Sequence, residues 1–323
     1  MASAVASRAS RESAPESVEA DLSVLWREIC RTGPVARAIM ANLLVVRRAG
    51  APSTDDQSIE AVAARHPSRV LIIDHETPPG DEEGSFTTAV GIVTFGPPTA
   101  RYGIERVAVR STCAEAALPS LVRRYTRGGL PISVWWTEDF STRPFIDPLV
   151  ALGRQLVFDS CSWRDVRAGI RALAPWLDRD VIDINWRRLA PLRRALAFAA
   201  SSSEAGAWGA NDVRIVHGPN TALAWLLAGW LASRLDWAAD SWPDVEGASN
   251  PDTILTIEIG AGAERIAASL EGSRAIVARG EAPSSSIGIA HESDADAIAA
   301  ELHALSRDVG LQDALRALLN RFG

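Results

Sequence analysis

The spacing of apolar residues changes several times along this chain, and each change predicts an element. Over residues 17–30, Leu22, Leu25, Trp26 and Ile29 recur at helical spacing behind Ser17 as N-cap, and Gly33-Pro34 ends the run. Residues 41–46, apolar except for Asn42, predict a strand. Residues 54–65 return to helical spacing, with Thr54 as cap and Ile59, Val62 and Ala63 facing inward, until His66-Pro67 stops them. A second apolar run at 69–74 completes strand, helix and strand within about thirty residues, the signature of a parallel βαβ unit.

Residues 77–85 form an acidic loop rich in proline and glycine. Two strands follow at 87–95 and 103–110, then a helix at 114–125. The next strand, 130–136, ends on Trp135-Trp136 and leads into Thr137-Glu138-Asp139. Successive side chains on a strand point to opposite faces. One indole can enter a core, and the other must leave it for a second layer, a pocket or a partner. Further on, the pattern predicts a helix at 147–154, a strand at 156–159, a helix at 163–173, a junction at 181–186 and a helix at 187–200. A linker begins at Ser201. Beyond it come a strand at 213–217, a helix at 221–235, an exposed loop at 238–251, three short strands between 254 and 278, and two terminal helices at 294–307 and 311–322.

The chain is therefore expected to be α/β, with two α/β domains. Residues 17–186 would hold a mixed sheet of about six strands built around the βαβ unit. Residues 187–323 would hold a smaller α/β sheet with terminal helices, and residues 1–16, poor in apolar side chains, a disordered tail.

Composition narrows the function classes. The 323 residues carry a formal net charge of −7, which argues against a general nucleic-acid or anionic-membrane binder. No lysine occurs anywhere, which excludes a Schiff-base lysine, a lysine general base and a Walker A lysine. Three widely spaced cysteines, Cys30, Cys113 and Cys161, fit a reducing cytoplasm and no zinc site. No apolar run is long enough to cross a bilayer. The five histidines have no metal-pair spacing, and no GxSxG elbow occurs, so no cofactor and no metal are expected. The run Gly260-Ala261-Gly262 begins like a dinucleotide fingerprint, but Arg265 takes the sixth position and a strand follows, which reads as a hairpin turn.

Two segments remain as candidate sites. His66 and Arg69 flank a helix-to-strand turn, where Arg69 could hold a phosphate or carboxylate, or instead pair with an internal carboxylate. Asp183-Ile184-Asn185-Trp186 leads into Arg187 and Arg188, either a solvated helix face or, together with Trp135 and Trp136, a set of Trp and Arg contacts of the kind enriched in binding hot spots.

These segments resemble those of the OpcA family, the glucose-6-phosphate dehydrogenase assembly proteins. The resemblance rests on Asn42-Leu43, His66-Pro67-Ser68-Arg69, Leu130-Pro131 through Trp135-Trp136, Asp159-Ser160, and the run Asp183 to Pro191, over about residues 20–200. The chain departs from the family at Leu192, where a tryptophan is expected, and at 111–114, where glycines are expected. The resemblance implies a non-catalytic protein that binds glucose-6-phosphate dehydrogenase and favours its active oligomer. Trp135, Trp136, Asp183, Asn185, Trp186, Arg187 and Arg188 would then be partner-binding. The competing expectation is a sugar-phosphate enzyme or sensor in which His66, Arg69 and the loop His217-Gly218-Pro219-Asn220 line an anion pocket.

Overall fold

The computed structural model describes residues 5–48, 56–76, 84–141, 146–201, 208–250, 252–304 and 307–323. In chain order its elements begin with β1 (Val5–Ser13), α1 (Val18–Arg31), β2 (Ala36–Arg37), β3 (Ala41–Arg48), α2 (Asp56–Arg65), β4 (Ser68–His75), β5 (Phe86–Phe95), β6 (Tyr102–Ser111), α3 (Leu118–Tyr125), β7 (Ile132–Trp136), α4 (Asp147–Val150) and β8 (Gln155–Phe158). They continue with α5 (Val166–Leu173), β9 (Asp180–Asp183), α6 (Ile184–Arg188), α7 (Ala190–Ser201), β10 (Val213–His217), α8 (Thr221–Leu235), β11 (Asp244–Gly247), β12 (Leu255–Ile259), β13 (Ile266–Glu271), β14 (Arg274–Arg279), β15 (Ser285–Gly288), α9 (Asp294–His303) and α10 (Val309–Phe322). The architecture is mixed α/β with two sheets, as the apolar pattern predicts.

By packing, the described residues form two compact units. One draws on 1–138, 145–158 and 293–306, the other on 139–144, 159–292 and 307–323. The sequence expectation divided the chain at 186/187 instead. Residues near 293–306 join the first unit because α9 lies against α2.

In the first unit the strands lie in the order β1-β5-β6-β4-β3-β7-β8, with β2 also beside β6. β6, β4, β3, β7 and β8 run parallel, while β5 and β1 are antiparallel additions. The predicted βαβ unit is β3-α2-β4, in register from Ala41↔Ser68 to Arg48↔His75. Crossover connections cover both faces of a parallel sheet, so its strands read as unbroken apolar runs. Leu44, Val45, Leu71, Ile72 and Ile73 are all fully buried. β3 has β4 on one side and β7 on the other, so the carboxyl ends of β3 and β7 form the point where strand order reverses.

The expected disordered tail is corrected in part. Val5–Ser13 is β1, paired antiparallel with β5 from Ser7↔Thr94 to Ser13↔Thr88. Its polar side chains conceal it, because this strand is held by backbone pairing and by contacts such as Arg8 to the buried Glu60 at 2.5 Å. The expected N-cap Thr54 and the greater part of the acidic loop at 77–85 lie outside the described residues.

The second unit holds a six-stranded sheet, β11-β10-β12-β13-β14-β15, antiparallel except for the β10–β11 pair. The Gly260–Arg265 run is the expected hairpin turn: β12 and β13 pair from Leu255↔Leu270 to Ile259↔Ile266, and Gly260 and Gly262 adopt φ of 72° and 63°. α8 is apolar around most of its circumference and is a core helix. The single helix expected over 187–200 is two, α6 and α7. The pattern missed β11 and β15, short polar strands placed at the sheet's two edges by their neighbours.

Candidate functional site

Three helix starts in the second unit are capped by side chains of one cluster. Asp159 accepts the Cys161 N–H at 2.9 Å and opens a short helical turn, Ser160–Ser162. Asp183, at the end of β9, caps α6 by accepting the Asn185 N–H at 3.0 Å. Asn220 caps α8 by accepting the Ala222 N–H at 3.1 Å. Each cap satisfies helix N–H groups that otherwise have no partner.

The cluster meets at Asn185, which is fully buried. Its Nδ2 donates toward Asp159 Oδ1 at 2.7 Å, Asp183 Oδ1 at 2.9 Å and Ser160 Oγ at 3.0 Å. Its Oδ1 accepts from Arg188 Nη1 at 2.6 Å and from the Cys161 thiol at 2.7 Å. Asn220 Nδ2 donates to the same sulfur. Burial and the neighbouring Asp159 charge push the Asp183 carboxyl up to about 6. Its Oδ2 accepts no hydrogen bond among the described residues. Burial, with Asp159 and Asp183 nearby, raises the Cys161 thiol far above its ordinary range. A thiol held protonated is a poor nucleophile. The arrangement joins three turns and holds Cys161 as a thiol.

Trp186 is 4% exposed. Its Nε1 donates to Asp308 Oδ2 at 2.7 Å, and the Arg193 guanidinium lies 3.5 Å from its ring centroid. Burial pulls Arg193 down to about 10. Arg187 forms a two-point pair with Glu292, at 2.8 and 2.9 Å. Within the Asp183–Arg188 run, therefore, Asp183, Asn185 and Trp186 are internal, and Arg187 and Arg188 retain about a third of their side-chain exposure.

Both tryptophans of β7 are buried, each 6% exposed. The pleat sends neighbouring side chains to opposite faces, and both indoles are nonetheless covered. The expectation that one of them reaches a partner is corrected: a parallel sheet packed on both faces leaves neither indole outside. At the carboxyl end of β7, Glu138 lies 3.6 Å from Arg48, and burial pushes its carboxyl up.

The anion pocket expected at His66 and Arg69 is not formed. Arg69 is 1% exposed. Its Nε and Nη2 reach Glu105 at 2.8 and 2.6 Å, its Nη1 and Nη2 reach Glu19 at 2.5 and 3.0 Å, and Nη1 also donates to the Tyr125 carbonyl at 3.1 Å. All five N–H groups are engaged, which is the internal-carboxylate alternative. His66 faces His303 with Nδ1 to Nδ1 at 3.4 Å, and burial, that imidazole and Arg154 push it down to about 4. It is neutral near pH 7 and offers an anion no charge.

That depressed value has a stability consequence. An imidazole whose folded pKa, about 4, lies below its ordinary 6.5 contributes stability that is complete above pH 6.5 and lost as pH falls toward 4. The expected loss across that window is at most about 3 kcal/mol. Urea unfolding at the two ends of the window checks it, and His66→Gln should flatten the profile.

Among the described residues no group of three or more His, Cys, Asp or Glu side chains is placed to hold a metal ion. No helix among them is long and apolar enough to cross a membrane. Cys161 was not in either expected site, and Asn220 was expected only in the anion-pocket alternative, as part of the loop 217–220. The sequence left His217-Gly218-Pro219-Asn220 as either a ligand-binding loop or a capped turn, and Cys161 stood out as one of three thiols, all of them free.

Residues 59–175 match a family model described as the glucose-6-phosphate dehydrogenase subunit N-terminal domain, and residues 179–315 match that subunit's C-terminal domain. A protein of Nostoc punctiforme named "Putative OxPP cycle protein OpcA" is 27% identical over 209 residues, 62% of this chain and 44% of its own length. A protein of the same name from Synechococcus elongatus is 29% identical over 145 residues, 43% of this chain and 33% of its own. The chain thus spans less than half the length of the curated relatives it matches. A super-repressor mutant of Gal80p from Saccharomyces cerevisiae aligns over 83% of each chain at 7% identity with a TM-score of 0.40, too low to carry an argument.

Proposed function

The chain belongs to the OpcA family, and from that premise we propose that it is a non-catalytic assembly factor. In this reading it binds glucose-6-phosphate dehydrogenase, favours the enzyme's active oligomer and raises its activity. The observation that carries the proposal is the match of both family domains, in order, across residues 59–175 and 179–315. The mechanism is a population shift: a protein that binds the active oligomer more tightly than other states moves the equilibrium by that difference in affinity.

The internal engagement of the signature residues supports this reading. Cys161 is held as a thiol, Asp159 and Asp183 accept cap hydrogen bonds, and Arg69 is saturated. Of the seven residues expected at the partner interface, Arg187 and Arg188 are the two that reach solvent, and we assign the contact to them. Asp183, Asn185 and Trp186 are buried in the same unit and support that surface from inside.

The test mixes the purified full chain with the cognate dehydrogenase and follows co-elution and activity. A complex with raised activity is expected, and no complex with unchanged activity would overturn the proposal. Arg187→Ala removes one exposed pair, which costs the fold at most about 1 kcal/mol. It is expected to weaken the complex about tenfold, or about 1.4 kcal/mol. Unchanged affinity would move the contact elsewhere and leave the function standing.

A further inference from the structure

We propose that a cleft in the second unit, between the start of α5 and the end of α10, binds a phosphate monoester. Arg167, Arg171, Arg321 and Phe322 line it, and it encloses about 190 Å³. That is room for a phosphate group and a few attached atoms. None of these four residues hydrogen-bonds to a member of the Asn185 cluster among the described residues.

The charge arrangement carries the inference. Arg167 and Arg171 are four residues apart on α5, a spacing that places both on one helix face, where like charges repel. Arg321, from the last turn of α10, adds a third positive charge. None of the three forms an ion pair among the described residues. Some other arginines of this unit pair, as Arg214 does with Glu246, and some, such as Arg274, do not, so what sets these three apart is that they line one cleft. Three guanidinium groups line one cleft and no side-chain carboxylate is paired with them among the described residues, so their donors are open to an external anion.

The groups are also held in place. The Arg167 guanidinium stacks 5.3 Å from the Trp225 ring and 5.5 Å from the Phe322 ring, and these two rings meet edge to face at 4.9 Å. Arg171 Nη1 donates to the Phe322 carbonyl at 3.0 Å, which uses one of its five N–H groups. Part of the Arg171 charge thereby serves the negative end of α10. Arg167 does not, because its planar group lies over the rings.

The frame beneath is tight. α10 packs on both α5 and α8. A Cβ at Gly229 on α8 would stand 2.6 Å from the Ala314 carbonyl oxygen of α10, so the two helices approach as closely as glycine allows. Arg167, stacked on the rings, and Arg171, held by the Phe322 carbonyl, lose little freedom when an anion arrives. A phosphate monoester fits because its three terminal oxygens can accept from several guanidinium forks at once, while Phe322 gives its ester group an apolar wall.

Isothermal titration of the full chain at low ionic strength tests the assignment, with glycerol 3-phosphate as probe, glycerol as the uncharged control and succinate as the dicarboxylate arm. Saturable binding of glycerol 3-phosphate and none of glycerol are expected. Arg171→Gln and Arg321→Gln should each weaken it about tenfold. Arg214→Gln, at a paired arginine, should leave it unchanged. Matching thermal midpoints for the variants and the parent chain show that the loss is not unfolding. No saturable binding at millimolar probe, or binding that survives both substitutions, would overturn the site. Equal affinity for succinate would overturn its assignment to phosphate.

Discussion

Glu105→Ala is expected to destabilise the first unit by about 3–5 kcal/mol, the cost of breaking a buried ion pair from one side. Glu105 lies on β6 and is fully buried. It accepts from Trp26 Nε1 at 2.8 Å and from Arg69 Nε at 2.8 Å, and it also pairs with Arg37. Removing the carboxylate strands the Arg69 charge in a core where only the partly exposed Glu19 still answers it. It also strips Trp26, the residue by which α1 meets this network, of its acceptor. Urea unfolding at neutral pH, read as the change in midpoint at constant slope, measures the effect. A loss under about 1 kcal/mol would mean that water reaches Arg69 and that the pair is not truly buried.

Asn185→Ala should cost the second unit about 3 kcal/mol, because each buried partner left without a hydrogen bond costs about 1–3 kcal/mol. Asp159, Asp183, Ser160, Cys161 and Arg188 all lose a partner at once. The effect should depend on pH. The folded pKa of Asp183, about 6, lies above its ordinary 3.8, so the folded state favours the protonated carboxyl. Stability from this group therefore falls as pH rises from 3.8 through 6 and levels off above. Loss of the Asn185 amide removes a donor to the carboxylate and raises that pKa further. The variant's deficit should be larger at neutral pH than near pH 5. A deficit independent of pH would show that Asp183 is not a strongly perturbed member of the cluster. The same experiment separates fold from function: a variant that unfolds early will also fail to bind the dehydrogenase, so loss of activation by Asn185→Ala cannot place this residue at an interface.

Much of the fold was legible because local stereochemistry writes it into the chain. The βαβ unit showed as apolar runs at 41–46 and 69–74 around a helical repeat, and β3, α2 and β4 follow it closely. The turn at Gly260–Arg265 was readable because a strand, not a helix, follows it. β1, β11 and β15 were not readable. Their side chains are polar, and what makes them strands is hydrogen bonding to β5, β10 and β14. Residues far apart in sequence supply the partners of β1 and β11, and β15, though next to β14 in the chain, carries no apolar alternation to announce it.

The candidate site divides the same way. Spacing singled out His66, Arg69, Trp135, Trp136 and the Asp183–Arg188 run as unusual, and each has a specific structural role. The sequence left Arg69 between an external anion and an internal carboxylate. Glu105 and Glu19 decided it, from positions 36 and 50 residues away. Arg167 and Arg171 looked like ordinary helix-surface charges until α10 brought Arg321 and Phe322 beside them. For Trp135 and Trp136 the sequence by itself determined that the two indoles point to opposite faces, since a strand's pleat alternates its side chains. Only the tertiary structure decided that both are buried, because whether a sheet has one covered face or two depends on helices packed from elsewhere in the chain.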